Sequence, residues 1–156
     1  MRLNFLLDEN ILYHAIRGVD LHDQPDDTAT RLIKKIVDVC HSLVIHEVVR
    51  VRYIKILDLL KRERAPFLSP AYFISQVLIR AEKRRFEYEE LPALPEGCSD
   101  VPRKDEYLVR AALLSHPLFV TSDEALYGAI KNHPELGIEV LQPPEALQRA
   151  QSTTTD

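Results

Sequence analysis

The stretch Leu3-Asn4-Phe5-Leu6-Leu7-Asp8-Glu9-Asn10 decides how this chain is read. A short, mostly apolar run predicts a strand buried on both faces. The acidic residues after it predict a helix start, where carboxylates cap unpaired N–H groups. A second run, Leu118-Phe119-Val120, ends the same way at Thr121-Ser122-Asp123, and Asp105 stands in the first turn of a helix starting near Pro102. In an open α/β sheet, ligands bind in the crevice at the carboxyl ends of the strands. If these elements pack side by side, three carboxylates converge there. Like charges raise one another's pKa, and a divalent cation relieves the repulsion. A cation beside a crevice points to phosphate-ester hydrolysis.

Outward from these runs, short apolar segments alternate with helical patterns. That alternation predicts an α/β protein: a three-layer α/β/α sandwich around a mostly parallel sheet of four to five strands. Strands are expected at 3–7, 43–45, 118–121 and 138–141. Helices are expected at about 9–17, at 28–41 with Thr28 as cap and Cys40 on the apolar face, and at 47–64. Ser69-Pro70 signals another helix start, with the helix running to about Glu89. Helices near 103–115 and 124–132, and one after Pro143-Pro144, complete the pattern. Residues 1–150 read as one domain, and 151–156 as a disordered tail.

Composition narrows the class. A chain of 156 residues has the usual size of a single domain. A net charge of −4 disfavours a protein that coats nucleic acid through bulk charge, yet it leaves room for a local basic patch. No apolar run approaches the roughly 20 residues needed to span a bilayer, so no membrane is expected. The N-terminal run is broken by Asp8 and Glu9 and does not read as a secretory leader. Cys40 and Cys98 lack CxxC spacing and read as reduced thiols of a cytoplasmic protein.

Each aspartate has an innocent explanation as a helix cap or first-turn anion. Asp100 reads as a turn residue with a lesser claim on the site. The combination says more. Asn10 offers an amide beside Asp8, and Thr121 and Ser122 offer hydroxyls beside Asp123. Hard oxygen donors without His or Cys suit Mg²⁺ or Mn²⁺ rather than Zn²⁺. His14, His22, His41, His46, His116 and His133 show no HExxH spacing and read as structural or surface residues.

Leu6-Leu7-Asp8-Glu9-Asn10-Ile11-Leu12, the segment Lys-Asp-Glu-Tyr-Leu-Val-Arg-Ala-Ala at 104–112, and Val-Thr-Ser-Asp-Glu-Ala-Leu at 120–126 resemble the signature segments of PIN domains. The resemblance spans nearly the whole chain. It implies an α/β/α sandwich and a Mg²⁺- or Mn²⁺-dependent ribonuclease, often the toxin of a toxin–antitoxin pair. Asp8, Asp105 and Asp123 would be its catalytic metal ligands, with Asn10, Thr121 and Ser122 supporting them. RNA is then the expected substrate, and an antitoxin an expected partner.

PIN domains usually carry a further acid on the helix after the second strand, and two registers compete for it. Glu47, directly after Leu43-Val44-Ile45-His46, supplies a carboxylate in one; the other places Arg52, before Tyr53, where the acid would stand. Five residues apart, these positions differ by about 140° around a helix. Arg52 facing the cluster would describe a degenerate relative that binds RNA or a protein without cleaving. A phosphoacceptor domain is disfavoured, because no lysine directly follows Val120 or Leu141. Lys83, Arg84 and Arg85 suggest a rim for RNA phosphates. The apolar surplus over 47–89 suggests a homodimer.

Overall fold

The computed structural model describes residues 1–64 and 66–152 of the chain. Five strands form one parallel sheet: β1 (Asn4–Leu7), β2 (Ser42–His46), β3 (Arg84–Glu87), β4 (Leu118–Val120) and β5 (Glu139–Leu141). Among the described residues, seven α-helices accompany them: α1 (Glu9–Arg17), α2 (Thr28–Asp38), α3 (Glu47–Leu60), α4 (Pro70–Phe73), α5 (Glu106–Ser115), α6 (Glu124–Lys131) and α7 (Pro143–Ser152). Successive strand residues point to opposite faces. Every residue of β2, and Phe5 to Leu7 of β1, is nonetheless buried, so both sheet faces are covered. The fold is α/β, as the alternation of apolar and helical segments predicts.

The strand order is β3-β2-β1-β4-β5. The chain winds outward from β1 through β2 to β3, returns to place β4 on the other side of β1, and continues to β5. β1 and β4 therefore flank the point where the winding reverses, which in such sheets opens a crevice at the strand ends. Two bonds close this corner: Asp8 N–H donates to the Val120 carbonyl (2.9 Å) and Thr121 N–H to the Leu141 carbonyl (3.0 Å). From the far side, the buried Tyr53 of α3 donates its hydroxyl to the Leu7 carbonyl. Gly18 ends α1 at φ 68°, where its N–H bonds the His14 carbonyl at 2.8 Å; a side chain there would meet the Phe67 ring.

Several boundaries depart from the sequence reading. The helix expected to run from Ser69 to Glu89 ends early: α4 passes into a π-helical turn at Ile74–Leu78, and the chain then forms β3. Arg84 to Glu87 pair in register with Leu43 to His46 at the sheet edge, where charged side chains are tolerated on an outer strand. α2 stops at Asp38, which leaves Cys40 exposed rather than on an apolar face. Thr28 is the first residue of α2, not its cap, and its N–H bonds Asp26 Oδ1 at 2.7 Å. α3 ends at Leu60, short of Arg64. Gln151 and Ser152, read as tail, belong to α7; residues 153–156 lie outside the described residues. Val48, Val51 and Ile54 of α3 remain exposed. Among the described residues, no helix is long and apolar enough to cross a membrane.

Lys83 is the sharpest correction. Expected on an RNA-facing rim, it is buried, and its ammonium donates to the carbonyls of Ile36 (3.0 Å), His41 (3.4 Å) and Val39. The side chain caps the end of α2, where carbonyls lack helical partners and the dipole favours a cation. Lys83→Met removes these charge-assisted bonds while keeping the stem, so it should cost about 2–3 kcal/mol. Urea unfolding measures this; a loss below about 0.5 kcal/mol would show that the ammonium contributes nothing.

Candidate functional site

The acidic corner is built from chain turns whose geometry is local. Leaving β1, Asp8 adopts an extended backbone and caps α1, accepting the Asn10 N–H on Oδ1 at 3.3 Å. Asn10 thus supports Asp8 through its backbone. Asp8 Oδ2 accepts the Thr121 hydroxyl at 2.9 Å, and Thr121 Oγ1 in turn accepts the Asp123 N–H at 3.1 Å. Asp123 caps α6 through Leu126 N–H at 3.0 Å. A single hydroxyl therefore links the ends of β1 and β4. Ser122, expected to assist the aspartates, instead lies 3.3 Å from His14 Nδ1.

Asp105 differs from the other two. It stands at the N-cap position of α5, yet its side chain makes no capping bond. It is buried, and Oδ2 has no hydrogen-bond partner among the described residues. Burial raises its pKa, with Asp123 and Glu9 adding repulsion and Lys104 and Arg52 opposing it. Asp8 is 1% exposed. Burial chiefly raises its pKa from 3.8 to about 6; the Thr121 and Asn10 hydrogen bonds pull the other way, and Asp105 and Glu9 add smaller repulsions.

Asp105 interacts with the charges of both Asp8 and Asp123, and the Thr121 hydroxyl bridges Asp8 to the Asp123 backbone. The three carboxylates are not a closed ligand set: among the described residues, the one trio whose donor atoms all lie within 4.8 Å of one another is Cys98, His133 and Glu135. The donor chemistry nevertheless fits a hard divalent cation. All the donors are oxygens, and a buried carboxylate oxygen without a bond is the group that a cation would satisfy.

Glu47 is committed elsewhere, held by Arg50 through bonds of 2.9 and 2.6 Å that depress its pKa. Arg52 occupies the other register. Its guanidinium lies 3.5 Å from Glu9 Oε1, stacks 4.0 Å over the Tyr107 ring, and lowers the pKa of Asp105. Sequence reasoning missed two groups here. Glu9, adjacent to Asp8, is the fourth carboxylate of the corner, and Lys104, 3.6 Å from Asp123 Oδ2, is its second cation. Their adjacency to Asp8 and Asp105 was the available signal. Arg85 is exposed, and Arg84 lies over the Phe86 ring at 4.2 Å. Asp100 bonds His133 at 2.6 Å instead of joining the aspartates. Open clefts border the site, one of about 510 Å³ along Asn10, His14 and Asp123 and another of about 620 Å³ along Glu9, Val51 and Arg52.

No family model and no curated protein matches the chain. Among solved structures, it is similar to a PilT N-terminus (PIN) domain protein from the hyperthermophilic archaeon Sulfolobus solfataricus P2. The identity is 14% and the TM-score 0.48, over 95% of this chain and 93% of that one. No residue's role follows from that likeness.

The pKa of Asp8 has a consequence for stability. Its folded value lies above the ordinary one, so the unfolded chain ionises it more easily. Stability therefore falls as pH rises from about 4 to about 6. At neutral pH the penalty is about 2–3 kcal/mol. Asp8→Asn should stabilise the protein by that order at pH 8 and by almost nothing at pH 4, read from unfolding curves at both values. Destabilisation at pH 8 would mean that the ionised carboxylate is favourably held.

Proposed function

We propose that this chain is a Mg²⁺- or Mn²⁺-dependent ribonuclease. The observation that carries the reading is the Asp105 carboxylate: it is buried, caps nothing and leaves Oδ2 unbonded beside Asp8 and Asp123. A helix cap needs no such oxygen. The motif resemblance to PIN domains supports the same chemistry, and the toxin of a toxin–antitoxin pair is the biological setting it suggests.

In this reading Asp8, Asp105 and Asp123 hold the cation. When bound, it supplies Lewis acidity that polarises a phosphoryl group and offsets the charge building there. Thr121 fixes the orientation of Asp8 and ties it to the Asp123 backbone. Lys104, exposed beside Asp123, attracts RNA phosphate to the corner. Arg52 and Glu9 neutralise each other at the opposite edge. The ribose 2′-hydroxyl is the group by which such a site tells RNA from DNA.

Arg52 supports a second reading. A fixed positive charge near Asp105 opposes cation uptake, as in a degenerate module that binds RNA without cutting it. Cleavage of a labelled single-stranded RNA separates the two. The nuclease reading expects Mn²⁺-dependent cleavage, abolished by a chelator and reduced at least 100-fold in Asp105→Asn and Asp123→Asn proteins whose circular dichroism is unchanged. RNA binding without cleavage at saturating Mn²⁺ would establish the binding module instead. Undiminished cleavage in both variants would place the activity outside this corner.

A further inference from the structure

The opposite end of α6 carries a second cluster, different in chemistry. Asp123 caps the start of this helix, which is about 12 Å long, while His133 directly follows its C-cap, Asn132. Pro134 opens a short 3₁₀ turn (Pro134–Leu136) that sets Glu135 beside His133. The loop before α5 brings in Cys98, which follows Gly97 at φ 92° and is buried. One donor atom from each of Cys98, His133 and Glu135 lies within 4.8 Å of the others.

The histidine is held from both sides. Nε2 faces Asp100 Oδ1 at 2.6 Å, and Nδ1 faces Glu135 Oε1 at 2.9 Å. An N–H donated from Nε2 to a carboxylate fixes the ring and leaves Nδ1 as the ligating atom, the outer-carboxylate arrangement common behind metal-bound histidines. Thiolate, imidazole and carboxylate together suit a borderline divalent ion, whereas the all-oxygen aspartate corner suits a hard one. The helix C-terminus adds a negative field that favours a cation. Glu135, with a side chain 61% exposed, leaves the cluster open to solvent.

We propose that Cys98, His133 and Glu135 form a site for a Zn²⁺-type ion, separate from the aspartates, with Asp100 orienting His133. Uptake displaces the thiol proton and any proton on Nδ1, so affinity rises with pH. Tetrahedral ligation needs donors roughly 3.5 Å apart, so the cluster closes slightly around the ion. The inference does not depend on nuclease activity.

Co²⁺ is the probe, because sulfur ligation gives it a near-ultraviolet charge-transfer band that oxygen ligands do not. The protein carries Cys40→Ser, which leaves Cys98 as the sole thiol of its two cysteines. Under a non-chelating reductant, one equivalent of Co²⁺ should produce the band, and Zn²⁺ should bleach it. Cys98→Ser and His133→Gln should abolish it, Asp100→Asn should weaken binding about tenfold, and Asp8→Asn should leave it intact. A folded Cys40→Ser protein that shows no band overturns the proposal. So does a band that survives His133→Gln or vanishes in Asp8→Asn.

Discussion

Burying the Asp8 carboxylate where β1 and β4 part is the constraint around which the corner is arranged. A charged group taken out of water must be compensated, and here the compensation comes from three directions: the Thr121 hydroxyl, the Asn10 N–H and the turn into α1. These do not suffice, since the pKa still rises to about 6. The deficit shapes the surroundings. Thr121 cannot serve Asp8 unless β4 runs parallel beside β1, and Asp123 follows from Thr121 by two residues of chain. Asp105 joins them from the turn before α5 with an oxygen that no described residue satisfies. A fold selected for stability alone would have placed neutral or apolar groups here, which is what the proposed cation site would explain.

Much of this was legible in the residues. The runs that became β1, β2, β4 and β5 are short, apolar and followed by polar helix starts, and local rules suffice for such segments. The three aspartates were legible because each terminates one of these signals. β3 was not: Arg84-Arg85-Phe86-Glu87 has the charge density of a helix face, and only the open edge of β2 makes it a strand. Lys83 misled because composition counts its charge, whereas its aliphatic stem lets the ammonium reach buried carbonyls. The choice between Glu47 and Arg52 needed the rotation of α3. That rotation is set by Tyr53 reaching the Leu7 carbonyl, a contact 46 residues away in sequence. The cluster of Cys98, Asp100, His133 and Glu135 was invisible for the same reason, since two loops meet there without a spacing motif.

The two clusters divide the chemistry along α6. Its N-terminal end holds the hard-oxygen corner with Asp123, and its C-terminal end the mixed sulfur, nitrogen and oxygen group around His133. Donor type separates the two proposed sites, so different ions would report on each. Arg52 tempers the first site: its partnership with Glu9 and its stacking on Tyr107 hold a positive charge at the rim. In the proposed reading, that charge would oppose cation uptake by the aspartates.

The central claim is that Asp8, Asp105 and Asp123, at the parting of β1 and β4, share a cation. Carbon-detected NMR titration of the Asp8 carboxyl, with and without Mg²⁺, tests it most directly. Without the ion, the midpoint should lie near 6. Saturating Mg²⁺ should drive it below the ordinary aspartate range, because bound positive charge favours the ionised form. A midpoint that stays near 6 in Mg²⁺ would contradict the account and leave Asp8 as no more than the cap of its helix.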